Sequence, residues 1–158
     1  MLPGEPLKYP SDFPPTGGWK RFFLGVRGLG PDLSFFKDLR SAQAARSLVL
    51  MDMWGGGDRQ ALALHVSAAF ATQCRWPTPY FLPNDNVSTI AGGPKFGWLD
   101  DTDVWAAICA VEEIADVKMG DSFWENSGES TLGQLVDQLL VAAGPNNSFK
   151  PKPLRGSA

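Results

Sequence analysis

The sequence predicts an all-α protein, and three observations carry that expectation. Apolar residues recur at helical spacing over residues 58–74, 104–115 and 132–139, glycine and proline clusters separate those stretches, and there is neither sustained strand-type alternation nor an internal repeat. A chain of 158 residues with 44% apolar content can bury one ordinary core and has little left for a second.

Residues 1–18 are rich in proline and glycine and are expected to lack regular structure, with a short strand or hairpin near the N-terminus as the one β feature allowed. Asp32 can cap a short helix carrying Phe35, Phe36 and Leu39. Ser41 can cap a second helix over residues 41–54, in which Ala45, Leu48, Val49 and Met53 keep helical spacing and Asp52 interrupts the stripe. A buried strand over residues 47–51 competes with that reading. Gly55, Gly56 and Gly57 then end the element, and Asp58 is placed to cap a long helix whose core face runs through Leu62, Val66, Ala69, Phe70 and Gln73. Pro77 and Pro79 stop it, because proline lacks the amide that a helix needs. Residues 80–99 read as a long loop with a helical turn near residues 84–90, packed on its own Tyr80, Phe81, Phe96 and Trp98.

The next helix starts among Asp100, Asp101 and Asp103, where carboxylates favour the positive end of the helix dipole. Its stripe is Val104, Ile108, Val111 and Ala115, widened by Trp105 and Cys109. A turn over residues 116–120 leads to a short helix at residues 121–124. Thr131 caps a final helix with Leu132, Leu135, Val136 and Leu139 on one face.

The formal net charge of −3 argues against a general nucleic-acid binder, which relies on neutralising phosphates. The distribution of charge is more specific than its sum. Asp100, Asp101, Asp103, Glu112, Glu113, Asp116, Asp121, Glu125 and Glu129 face only Lys118 in their stretch, whereas bases collect before Ser47 and in the tail. Such asymmetry suits attraction between the two ends of the chain or a basic partner. Cys74 and Cys109 lack metal or dithiol spacing and read as buried thiols of a reducing compartment. Residues 1–18 hold no signal-peptide apolar run, and no stretch approaches the roughly 20 residues needed to span a bilayer, so the expected location is cytoplasmic. The basic aromatic residues 19–26 fit a membrane-surface contact less well than docking on the protein itself.

Beyond these patterns, one stretch resembles the acyl carrier proteins. Carrier domains read as an apolar helix, a long loop, Asp-Ser-Leu, a helix ending near Ala-Leu-Glu-Glu-Glu-Phe, an Ile-Pro-Asp turn and a Thr-capped apolar helix. Here Ala110, Val111, Glu112, Glu113, Ile114 and Ala115 take the helix ending, Met119, Gly120 and Asp121 the turn, and Ser130, Thr131, Leu132, Val136 and Leu139 the final helix. The resemblance covers about residues 58–142 and implies a carrier-like four-helix bundle with an N-terminal helical extension over residues 1–57. Asp101 stands where the serine that carries phosphopantetheine belongs, and an aspartate cannot form that phosphodiester. Ser122, in Asp121-Ser122-Phe123, repeats the triplet superficially but reads as a helix cap. Residues 143–158 have the composition of a disordered tail. Their NNSFKPKPLRG resembles the ending shared by otherwise unrelated proteins of bacterial integron gene cassettes, which implies a mobile bacterial gene.

Other chemistry is sparse. His65, the only histidine, lies inside a helix and reads as a packed or rim residue, since catalysis needs a positioned partner. The Asp100, Asp101, Asp103 triplet lacks the glycine and distal glutamate of a calcium loop, so helix-start capping is the stronger account. Gly55–Gly57 and the AGGPKFG run with Lys95 lack the Gly-Lys-Ser/Thr ending of a phosphate loop. The expectation is therefore a non-enzymatic protein without cofactor or metal, which meets a basic protein partner through Asp101, Asp103, Trp105, Glu112 and Glu113 and neither nucleic acid nor membrane. Trp98 and Trp124 are further candidate anchors, and the competing role for all three tryptophans, which the sequence favours over anchoring, is to fill the core. Two alternatives stand beside it: a genuine phosphopantetheine carrier modified at Ser122 or another serine, and a small ligand-binding protein or enzyme with an aromatic pocket between bundle and N-terminal segment.

Overall fold

Three successive glycines, Gly55, Gly56 and Gly57, all at positive φ, turn the chain into its longest described helix, α2 (Gly57–Gln73). Only glycine follows such a path without steric cost. In the computed structural model, which describes residues 1–13, 32–95 and 101–144, the helix is preceded by α1 (Phe35–Ala44) and a 3-10 helix, Leu48–Trp54. It is followed by α3 (Val87–Gly92), α4 (Asp101–Ala115), α5 (Asp121–Ser127) and α6 (Leu132–Ala143). Among the described residues the architecture is all-helical, and the one β feature is an isolated antiparallel bridge between Asn86 and Thr131.

Helix α2 buries Leu62, Ala63, Val66, Ser67, Phe70 and Ala71. The small residues among them let neighbouring helices approach closely, and α2 packs most extensively on α4, then on α6 and the 3-10 helix. One core cluster joins Leu7 of the N-terminal segment, Leu39 of α1, Trp54, Phe81 of the loop, Val111 of α4 and Leu135 of α6. Leu132, Leu135, Val136 and Leu139, the expected face of α6, are all fully buried. Thr131 caps α6 as its spacing predicts, in a reciprocal box in which Thr131 Oγ1 accepts from Gln134 N and Gln134 Oε1 accepts from Thr131 N.

Several boundaries differ from the sequence expectation. Helix α1 runs through Ser41 to Ala44, so Ser41 lies inside it and caps nothing. Asp32 instead accepts from the amide and hydroxyl of Ser34, the N-cap. Residues 41–54 do not form one helix, because Arg46 turns inward and the chain resumes as a 3-10 helix. With its three-residue repeat that helix sets Met51 and Trp54 on one buried side and leaves Val49 and Met53 exposed; Leu48, its first residue, is exposed as well although it stands in the Met51–Trp54 row. The competing strand over residues 47–51 does not form. Gly56, not Asp58, is the N-cap of α2, and Asp58 sits in its first turn. The loop's helical turn is α3, whose N-cap Asn86 accepts from Thr89 N. Phe81 is fully buried as expected. Phe96, Trp98, Asp100, the basic aromatic stretch at residues 19–26 and the tail from residue 145 lie outside the described residues.

A buried ion pair connects the distant segments. Arg46 and Asp85 have fully buried side chains and meet at 2.5 Å. Arg46 also donates to the carbonyls of Pro3, Glu5 and Tyr80, while Asp85 accepts from the amides of Leu7 and Leu82. The carbonyls of Asp85 and Pro83 then receive the amides of Leu132 and Gly133, where α6 begins.

Candidate interaction surface

Helix α4 sets its inner face with Ala107, Val111 and Ala115, all buried against the core. The helical repeat then carries Trp105, Cys109, Glu113 and Asp116, the last just past the helix end, onto the opposite side, and all four are exposed. Trp105, at 54% exposure, does not widen the core stripe as the apolar pattern suggests. Cys109 is likewise exposed, which corrects the expectation of two buried thiols. Cys74 does lie buried, and burial, with a smaller effect from the charge of Asp103, pushes its thiol up to about 12.

The two neighbouring glutamates have separate roles. Glu113 is exposed, whereas Glu112 is only 6% exposed and is not on the outward face. Its carboxylate accepts from Lys118 Nζ at 2.8 Å, Met119 N at 3.0 Å and Trp124 Nε1 at 3.1 Å. The hydrogen bond from Lys118 is the main reason that Glu112 is held below the usual carboxylate range, with desolvation opposing it. Lys118 is raised in return by the same contact. Glu112 thus ties the end of α4 to the turn before α5 and to the Trp124 indole, which makes Trp124 a packed, half-buried residue rather than an open anchor.

Asp101 is the first residue of α4, and its side chain lies outside the described part. Asp103 is half-buried and faces Arg75 at 3.5 Å, on the side of α4 toward the end of α2. Residues beyond the expected set complete the surface: Asp116, Asp121, Glu125 and Glu129 are all exposed. Their acidity is legible in the sequence, but their common exposure depends on how the connection over residues 116–120 directs α5. Ser122 is exposed in the first turn of α5 and does not cap it, since the N-cap is Gly120. An open depression of about 490 Å³ runs along this side, lined by Cys109, Glu112, Glu113, Asp116, Val117 and Lys118.

Elsewhere, His65 is half-buried in α2 and its Nδ1 lies 2.8 Å from the Ala61 carbonyl, so that nitrogen serves as a donor to the helix itself. Among the described residues no group of three or more His, Cys, Asp or Glu side chains is arranged to hold a metal ion. No described helix is long and apolar enough to cross a membrane. The chain matches no protein-family model, no curated protein and no solved structure.

Proposed function

We propose that the chain is a non-enzymatic, carrier-like helical module that docks a basic protein partner on the acidic side formed by the outer face of α4 and by α5. The observation that carries this reading is the exposure of Glu113, Asp116, Asp121, Glu125 and Glu129, none of which has an ion-pair partner among the described residues. The one base in their stretch, Lys118, is engaged by Glu112. Unneutralised carboxylates of one sign speed the approach of an oppositely charged surface and select against like-charged ones. Trp105, exposed on the same face of α4 as Glu113, supplies a large apolar contact of the kind that anchors interfaces.

The order long α2, long α4, short α5, long α6 supports the carrier-like reading of this region. Carrier proteins meet basic enzyme surfaces with the corresponding second helix. Asp101 at the start of α4 leaves no hydroxyl for a phosphopantetheine arm, so the docking face is retained here without the chemistry.

The test is affinity capture from a bacterial lysate with the parent chain and with a Glu113→Lys/Asp116→Lys/Asp121→Lys variant, with thermal melts confirming that both fold. Partners identified by mass spectrometry should have basic surfaces, should be lost from the reversed variant and should elute as salt rises. Retention of the same partners by the reversed variant would overturn the proposal. Glu112 is left intact because its replacement would disturb the α4–α5 connection itself.

A further inference from the structure

A second concave feature lies between the N-terminal segment, the start of α1 and α3, and no α4 or α5 residue lines it. Its volume is about 530 Å³, inside the range of roughly 300–1,000 Å³ that small-molecule sites occupy. Tyr9, Phe13 and Phe36 form its wall and meet edge to face with centroids 5.2–5.5 Å apart. Phe35 stacks on Phe36 at 4.4 Å.

That wall is fixed in place. The Tyr9 amide donates to Thr89 Oγ1 at 3.0 Å and its hydroxyl donates to the Gly93 carbonyl at 2.8 Å. Gly92 makes room for the ring, since a Cβ there would come within 2.5 Å of the phenol oxygen. The Tyr9 hydroxyl and Thr89 are therefore committed to the protein. The rim keeps other groups available. Asn86 lines the groove, and its Oδ1 accepts from Thr89 N and from Ser88 Oγ, while no hydrogen bond to another described residue engages its amide nitrogen, a donor. Lys8 is exposed and has no salt bridge among the described residues, and none of the described residues that line the groove is a carboxylate.

An aromatic wall beside a cation and an amide donor, with no acid among the described lining residues to repel an anion, complements one class of molecule. We propose that this groove binds a small aromatic acid, its ring against Tyr9, Phe13 and Phe36 and its anionic group toward Lys8 and Asn86. The ring contributes edge and face contacts with the aromatic wall, and the charge-assisted contact with Lys8 sets the preference for an anion over a neutral isostere.

Titration of the full chain with 2-naphthoate and with its neutral counterpart 2-naphthamide, by competition against 1-anilinonaphthalene-8-sulfonate fluorescence, tests this directly. Saturable one-to-one binding of naphthoate is expected, with naphthamide weaker. Lys8→Gln should weaken naphthoate about tenfold and leave naphthamide unchanged. Phe13→Ala should weaken both, with far-UV circular dichroism confirming that each variant folds. Absence of saturable naphthoate binding to the folded parent, equal affinity for the two probes, or indifference to either substitution would overturn the proposal. The triple lysine variant of the acidic face should bind naphthoate like the parent, so failure of one proposal leaves the other testable.

Discussion

Glu112 is a carboxylate whose ionisation is coupled to folding. Three donors converge on it in the folded chain, and its folded pKa lies below the ordinary glutamate value of about 4.3 that the unfolded chain approaches. A group whose pKa falls on folding contributes stability that is fully present above the unfolded value and is lost as pH drops through the folded one. Glu112→Gln keeps the shape but removes the charge from these hydrogen bonds, and should cost about 1–3 kcal/mol at neutral pH. Urea unfolding measured at neutral pH and again well below about pH 4.3 checks the sign: the gap between parent and variant should narrow in acid. An equal gap at both pH values would mean that the carboxylate's charge does not matter. The Lys118 side of the contact is 84% exposed and water screens it, so the amide of Met119 and the indole of Trp124 account for much of the constraint on the turn.

At the scale of elements, local chemistry decides some boundaries and distant contacts decide others. In α6 the signals that set the boundary are local, Thr131 and Gln134 at capping-box spacing followed by an apolar face at three- and four-residue intervals, although its first two amides are received by the carbonyls of Asp85 and Pro83. Thr131→Ala should accordingly cost about 1 kcal/mol in a denaturant titration with unchanged slope, because one first-turn amide loses its acceptor. That helix was fully legible in the sequence, as were the existence of α2 and α4 and the acidic character of the candidate face. The orientation of α4 was only partly legible, since its apolar residues spread over more than one side. Trp105 and Cys109 fit a core stripe by spacing, yet packing on α2 selects Ala107, Val111 and Ala115 instead. Consecutive residues point about 100° apart on a helix, so Glu112 and Glu113 do not share one face, and a pair read as a unit divides into a structural and an exposed member. Ser41 has the chemistry of a cap but stands within a helix that continues, and the true break comes later, where Arg46 is drawn toward Asp85. No periodicity encodes a partner 39 residues away.

Over the whole molecule, the Arg46–Asp85 pair makes segments that are remote in sequence depend on one another. Arg46 holds the carbonyls of Pro3 and Glu5, Asp85 holds the Leu7 amide, the Leu7 carbonyl accepts from Asn86, and the same loop receives the first amides of α6. Loss of the arginine leaves a buried carboxylate with only backbone donors, an arrangement that costs about 3–5 kcal/mol when one partner of such a pair is removed. Deleting residues 1–6 withdraws two of the arginine's carbonyl acceptors while Leu7 stays in the core. If the segments form one cooperative network, the two changes overlap in what they break. A double-mutant cycle of Arg46→Met with that deletion should then show a combined cost smaller than the sum by more than about 0.5 kcal/mol. Unfolding of the parent followed by circular dichroism and by tryptophan fluorescence should give coincident transitions, as expected of a single cooperative unit. Additive costs, or a tryptophan transition that separates from the loss of helix, would mean that the N-terminal segment docks independently and that the buried pair serves only the loop between α2 and α3.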